Sequence, residues 1–430
     1  MRKAASKPDP GTATTGRHPP PRQGPRPLGL TLAVAALTWT SSRAAWPLLR
    51  NGSLPWKAEL RLAAAALQAS LAKLNPEVAT AALERQIHLR QRALLDGIDA
   101  YRRHSYHRDL PPAPEVWREG TTRLLDYGAL APGKKGAAGP PVMVVPSLIN
   151  RATVLDLTAE ISFLRWLAAQ GMRPYLVDWD QPGAEERRFT LTDYIAGRLE
   201  SALDAVLAAS GQRPALLGYC MGGLLALALA LRRRQDLTGL ALLATPWDFH
   251  TDAGAQGAQA AAAAALLSPF LDFLGELPVD LIQALFAGLD PQLVLRKFLA
   301  FARMDPAHPK AAAFVALEDW LNDGVPLAAP VARECLAGWY GANTTATGQW
   351  RVAGKVVNPA DLVLPCLGII PSADRIVPPA SAAALVAAIP GAEALQPSAG
   401  HIGMVVGGRA EGLVWRPLLT WLKARAAAAG

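Results

Sequence analysis

The chain has 430 residues, 51% of them hydrophobic and 18% charged, a balance that excludes an intrinsically disordered protein and leaves room for one large α/β domain with insertions or for two ordinary domains. The formal net charge of +8 gathers in the first 50 residues, where eight Lys/Arg stand against the single acid Asp9, while the other 380 residues carry 35 Lys/Arg against 34 Asp/Glu. The basicity is therefore a property of a tail, and nucleic acid is not an expected partner. Three cysteines, Cys220, Cys335 and Cys366, are too few and too far apart for a disulfide framework or a zinc cluster; no metal is expected, and a reducing cytoplasm fits.

Residues 1–27, rich in Pro, Gly, Thr and Arg and ending near PPPRQGPRP, are expected to form a disordered basic tail. The apolar run Leu28–Leu37 stops at Thr-Trp-Thr-Ser-Ser-Arg, well short of the roughly 20 residues that span a bilayer, and it is poorly shaped for a signal peptide because its polar leader is long. Residues 28–110 are expected to form a helical N-terminal region. From Trp56 to about His107, stripes at helical spacing (Leu60, Leu62, Ala66, Leu67 and Leu71, then Leu83, Ile87, Leu94, Leu95 and Ile98) predict core-facing helices divided at Pro76.

After the Pro/Gly/Lys linker Ala131–Pro140, short apolar runs alternate with amphipathic helices, the pattern of a doubly wound parallel sheet. The expected strands are Val142–Val145, Arg173–Val177, Ala215–Leu217, Gly239–Leu243, Val363–Ile370 and Ala392–Leu395, with helices such as Leu191–Ala209 and Leu224–Arg234 between them. Residues 247 to about 350, rich in Ala and Leu, interrupt the alternation and read as a helical cap inserted into a catalytic domain spanning 111–430.

The chemistry concentrates at Gly218-Tyr219-Cys220-Met221-Gly222-Gly223. The segment leaves a strand and enters an apolar helix, which is the context of a nucleophile elbow. Gly218 and Gly222 are expected there because side chains flanking a strained turn would collide with helix and strand. A thiol takes the position usually held by a hydroxyl, and a thiolate at a helix N-terminus is favoured by the dipole and by free N–H groups. Asp374 follows one apolar strand and His401 the next. The order nucleophile, acid, histidine, with acid and base in loops after strands, is that of the α/β-hydrolase fold. The oxyanion donors are expected to be the Met221 N–H and a second N–H from Ser147–Asn150, with Leu148 and Ile149 as the candidates. Cys335 and Cys366, in ECLAGW and LPCLGI, read as small buried hydrophobes, and the remaining histidines read as structural, with His250 the one to watch.

These residues resemble the polyhydroxyalkanoate (poly-3-hydroxybutyrate) synthases, most closely the short class III and class IV catalytic subunits. The resemblance is carried by GYCMGG at 218–223, LINRATVLDL at 148–157, YLVDWDQPG at 175–183, LTDYI at 191–195, ATPWDFHT at 244–251, and SADRIVPP and GHIGMVVGG around Asp374 and His401. It covers roughly residues 115–425. The family usually has a histidine directly after the catalytic aspartate, where this chain has Arg375, and a cap less rich in alanine than residues 254–267; both departures bear on substrate access.

The resemblance implies an acyltransferase in which Cys220, Asp374 and His401 polymerise 3-hydroxyacyl-CoA thioesters with release of CoA, which is part of the substrate and not a cofactor. It also implies a growing polyester as partner, a homodimer or a second synthase subunit, and a cytoplasmic location at polyester granules. Asp374 either orients His401 or helps activate the attacking hydroxyl. Two rival readings use the same residues: a thioesterase or polymer depolymerase, and a granule-associated protein without catalysis.

Overall fold

A computed structural model describes residues 21–131, 133, 138–251 and 255–429. Its centre is one eight-stranded sheet: β1 (Glu115–Glu119), β2 (Thr122–Asp126), β3 (Pro141–Val145), β4 (Arg173–Asp178), β5 (Ala215–Tyr219), β6 (Gly239–Leu243), β7 (Cys366–Ile369) and β8 (Glu393–Leu395), in the order β1-β2-β4-β3-β5-β6-β7-β8. The pairs from β4 to β8 are parallel, and β1 and β2 add an antiparallel edge. Strands β3, β5, β6 and β7 are buried at every residue. Uninterrupted apolar runs are what a parallel sheet covered on both faces requires.

Successive residues of a strand serve opposite faces. Leu216 and Leu240 join one core with Leu203, Val206 and Leu225, whereas Leu217 and Ala241 join the other with Leu164, Leu167 and Leu418. The expected strands thus appear, with β7 confined to Cys366–Ile369 because the preceding Val363–Pro365 lies outside the pairing. The hairpin β1-β2 was not expected from the sequence. Its turn uses Gly120 at φ 58°, and it is fixed from outside by Glu186, which accepts the Thr121 N–H at 3.1 Å and pairs with Arg198 at 3.2 Å. The expected helix Leu191–Ala209 divides into a wider π-helical turn, Asp193–Leu199, and a regular helix, Glu200–Ser210.

At the N-terminus, α1 (Leu28–Asn51), α2 (Arg61–Leu71) and α3 (Pro76–Arg103) are helical. Asn75 caps α3 by accepting the Glu77 N–H at 2.8 Å, and Pro76 occupies the first turn, where its missing N–H costs nothing. The stripe expected to bury α2 does not do so: Leu60, Leu62 and Leu67 are exposed, Leu62 at 88%, because no element of the described residues lies over that face. Leu95 is likewise exposed, while Ile87, Leu94 and Ile98 are buried.

Between Trp247 and Trp350 the cap contains α4 (Ala255–Leu274), α5 (Val279–Leu289), α6 (Leu293–Phe301) and α7 (Pro309–Asn322). The buried face of α3, with Ala35 and Trp39 of α1, packs on this cap rather than on the sheet. Its partners are Leu295, Phe298 and Phe301 of α6 and Ala311 and Val315 of α7. A Cβ at Gly97 would strike the Phe298 carbonyl, so the helices can approach this closely only with glycine there. The expected disorder of residues 1–27 does not extend to its last seven residues. Arg22 grips Asp319 through two donors at 2.7 and 2.8 Å and donates to the carbonyls of His104 and Tyr106, and Arg26 reaches Asp280 at 2.6 Å. A guanidinium fork matched to a carboxylate and two carbonyls overrides a composition that favours disorder. Residues 1–20 of the expected tail lie outside the described residues. Among the described residues no helix is long and apolar enough to cross a membrane.

Candidate active site

Cys220 sits between β5 and the helix Met221–Arg232 at φ 56°, ψ −129°. This region is sparsely populated by L-residues and costs on the order of 1–3 kcal/mol. Its N–H donates to the Leu243 carbonyl at 2.8 Å, tying the turn to β6. The glycines around it have no room for a side chain. A Cβ on Gly218 would meet the Gly223 backbone, one on Gly222 would meet the carbonyls of Val145 and Pro146, and one on Gly223 would meet the Thr245 side chain. The elbow is thus pressed against the loop after β3 on one side and β6 on the other.

The loops after β7 and β8 bring the other two residues to it. Asp374 Oδ1 accepts the N–H groups of Ile376 and Val377 at 2.8 and 2.9 Å, and Oδ2 accepts His401 Nδ1–H at 2.7 Å. With Nδ1 committed to Asp374, Nε2 is the ring nitrogen left for Cys220. Both Asp374 and His401 are buried, whereas Cys220 is partly exposed. Burial pulls the His401 pKa down, but the negative charge of Cys220 and the bonds to Asp374 and Cys220 outweigh it, and the imidazolium is held up to about 10. Cys220, Asp374 and His401, separated by up to 181 positions in the chain, are brought together here, Asp374 and His401 by a hydrogen bond and Cys220 through the effect of its charge on the imidazole.

Two side chains that the sequence did not single out complete this unit. Tyr219, the last residue of β5, stacks on the His401 ring with centroids 5.3 Å apart and donates its hydroxyl to the His401 carbonyl at 3.2 Å. Tyr340, from the cap, is half-buried near Cys220, and desolvation together with the Cys220 charge pushes its phenol pKa up. The only signal in the sequence for Tyr219 was its adjacency to the nucleophile; for Tyr340 there was none. Tyr340 and Phe249 of the cap, with Ile376 and Val377 of the Asp374 loop, line a small cleft.

The loop after β3 lies beside the elbow, with Trp179 Nε1–H donating to the Pro146 carbonyl at 3.1 Å. Of the two candidate donors in this loop, Ile149 has spent its N–H on Ser147 Oγ at 3.0 Å. Among the described residues the Leu148 and Met221 N–H groups have no intramolecular acceptor. Three of the other histidines have structural bonds: His250 Nε2 to the Tyr340 carbonyl at 2.8 Å, His308 Nδ1 capping α7 through the Lys310 N–H, and His104 accepting the Tyr106 N–H. Cys335 and Cys366 are buried, and burial raises both thiol pKa values, that of Cys366 to about 12. Among the described residues no three His, Cys, Asp or Glu side chains are grouped to hold a metal.

A strained cysteine elbow on a parallel sheet, backed by a histidine and an aspartate on the next loops, defines an α/β hydrolase, and the sequence matches the alpha/beta hydrolase fold family over residues 140–407. The curated relatives narrow the class. The poly(3-hydroxyalkanoate) polymerase subunit PhaC of Synechocystis sp. is 30% identical over 66% of this chain and 78% of its own length. The PhaC subunit of Allochromatium vinosum is 29% identical over 73% of this chain and 89% of its own, and that of Haloferax mediterranei 28% identical over 73% and 64%. The chain belongs to the poly(3-hydroxyalkanoate) polymerase family within the α/β hydrolases; it spans just under two thirds of the length of the Haloferax protein.

Proposed function

We propose that the protein is a polyhydroxyalkanoate synthase that polymerises 3-hydroxyacyl-CoA through a covalent acyl group on Cys220. The observation that carries this reading is a thiol, not a hydroxyl, at the strained elbow, with Asp374-bound His401 close enough for the Cys220 charge to raise its pKa and keep a proton there. The Cys220 sulfur attacks the thioester carbonyl, the bond to CoA breaks, and His401 delivers its proton to the departing CoA thiolate. Exchange of one thioester for another is nearly balanced, so the acyl group stays activated. The 3-hydroxyl of a second unit then attacks the Cys220 thioester and gives its proton to His401; the ester forms and the Cys220 thiolate returns. Asp374 holds the Nδ1–H of His401 so that Nε2 faces the sulfur. The N–H groups of Met221 and Leu148 are assigned to the carbonyl oxygen as charge develops on it; Ile149, whose N–H is engaged, is not.

Water must be kept from the acyl-enzyme if the hydroxyl is to win, and Tyr340, Phe249 and Val377 enclose the site on that account. A growing polyester is insoluble in water, which puts the working enzyme at a granule surface. The exposed Leu62 and Val78 near the N-terminus and Phe270 and Phe273 on the cap offer apolar contact to that surface, to a second copy or to a second subunit. The test is incubation of the full chain with 3-hydroxybutyryl-CoA, following CoA release and polymer. Release of CoA with polymer is expected; free 3-hydroxybutyrate without polymer would assign the protein to the thioesterases, and no acylation of Cys220 at all would remove the reading.

A further inference from the structure

Asp374 faces inward, and the next residue faces out. The Arg375 guanidinium is 75% exposed, and its Nη1 donates to Asp290 Oδ2 at 2.8 Å. Asp290 ends α5, and its side chain is 17% exposed; the same Oδ2 accepts Nη2 of Arg296, from α6, at 2.7 Å. One cation from the catalytic loop and one from the cap thus converge on a single carboxylate oxygen, next to Ile376 and Val377, which line a small cleft, Val377 belonging to the apolar cluster against which Cys220 packs. One carboxylate cannot neutralise two guanidinium groups, and most of their N–H donors remain free for another acceptor. The pairs add little to stability, since exposed ion pairs are worth little, so exchanging the partner is cheap. Arg375 also stands where the resembled synthases usually have histidine, so its fixed charge and planar fork belong to this chain.

Resting on the acyltransferase reading above, we propose that Arg375 and Arg296 form the receptor for the phosphate groups of the CoA thioester, which displace Asp290 from both guanidinium groups as the substrate enters. The chemistry fits on three counts. Phosphate oxygens match guanidinium forks better than a point-charge lysine would. A phosphate brings more negative charge than the carboxylate it replaces. The pantetheine arm separates the phosphates from the thioester, so their receptor must stand outside the narrow cleft and not in it. Asp290 then acts as a resident competitor that keeps the two arginines together and aimed while the site is empty.

The experiment compares acyl transfer from 3-hydroxybutyryl-CoA with that from the N-acetylcysteamine thioester of the same acid, which has no phosphate, in the full chain and its R375A and D290N variants, by thiol release. For R375A the KM for the CoA thioester is expected to rise about tenfold, equivalent to ~1.4 kcal/mol, with kcat nearly unchanged and the KM for the short thioester moving less than twofold. R375K is expected to recover part of the loss. D290N is expected to move the CoA thioester the other way, lowering its KM. If Arg375 and Asp290 form only a latch between cap and catalytic loop, both variants shift both thioesters in the same direction, and that result overturns the proposal. Failure of either thioester to acylate Cys220 in the unaltered chain, read by intact mass, would instead overturn the acyltransferase reading and take this inference with it.

Discussion

The sheet around the elbow and the unit formed by the cap and the N-terminal helices are held together by different means. Around β5 and β6 the contacts are apolar and glycine-mediated: Leu216, Leu217, Leu224 and Leu242 are buried almost completely, and the closest approaches occur where Gly218, Gly222 and Gly223 leave backbone against backbone. Between α1, α3, α6 and α7 an aromatic cluster of Trp39, Tyr101, Phe298 and Phe301 is framed by buried or half-buried charge. Asp319 there receives both Arg22 and the Tyr101 hydroxyl, and the buried Glu318 receives Lys297 at 2.6 Å. Apolar packing tolerates small displacements and has no partner to lose. Paired buried charge holds one arrangement and fails sharply when one partner is removed. The packing immediately around Cys220 is thus apolar and permanent, and the unit of cap and N-terminal helices depends on a few matched pairs.

The sharpest separation of chemistry from stability is expected from Cys220→Ala. It should lower CoA release by on the order of 10⁴ or more while the protein stays folded, because one small, partly exposed side chain is lost. In the unit of cap and N-terminal helices, Lys297→Met should leave Glu318 buried without its cation and cost ~3–5 kcal/mol in urea unfolding. Burial already pushes the Glu318 carboxyl pKa up, with Lys297 opposing it, so the variant should regain stability as pH falls and Glu318 takes up a proton. An equal loss in Glu318→Gln and Lys297→Met would show that packing, not charge pairing, holds this half.

Gly222→Ala should destabilise the sheet half by about 3 kcal/mol, since its Cβ meets the Val145 and Pro146 carbonyls and neither strand nor loop can yield. A smaller effect, ~1–2 kcal/mol, is expected for Asp319→Asn, which weakens its hold on Arg22 and Tyr101. Hydrogen exchange should report that loss in residues 21–27, α3 and α7 and leave β5 and β6 protected; uniform loss of protection would contradict the division into two halves. A further effect, of pH, concerns His401. Its folded pKa, raised from 6.5 to about 10, contributes stability that is fully present below pH 6.5 and is lost as pH rises through about 10. Urea midpoints at pH 6, 8 and 10 should show this decline in the unaltered chain, and the Cys220→Ala variant should show less of it, because the charge that most raises His401 has gone.

The strands β3 to β8, the inserted cap, and the elbow with its aspartate and histidine were legible in the sequence because each is written in local pattern: an unbroken apolar run, a glycine on either side of a turn, a polar residue just past a strand. The same local reading assigned the α2 stripe to the core and residues 21–27 to disorder, and both assignments depended on what lies opposite, which local pattern does not contain. Arg22 finds Asp319 at 297 positions' separation, and among the described residues nothing lies over Leu62. Tyr219 at the back of His401, the prior engagement of the Ile149 N–H and the convergence of Arg375 and Arg296 on Asp290 are of the same kind. Composition and periodicity determined which segments form strands and placed Cys220 at the turn between a strand and a helix. Tertiary structure decided which polar groups are already paired and which remain free to meet a substrate, since a hydrogen bond is settled by two partners, and the chain order names only one of them at a time.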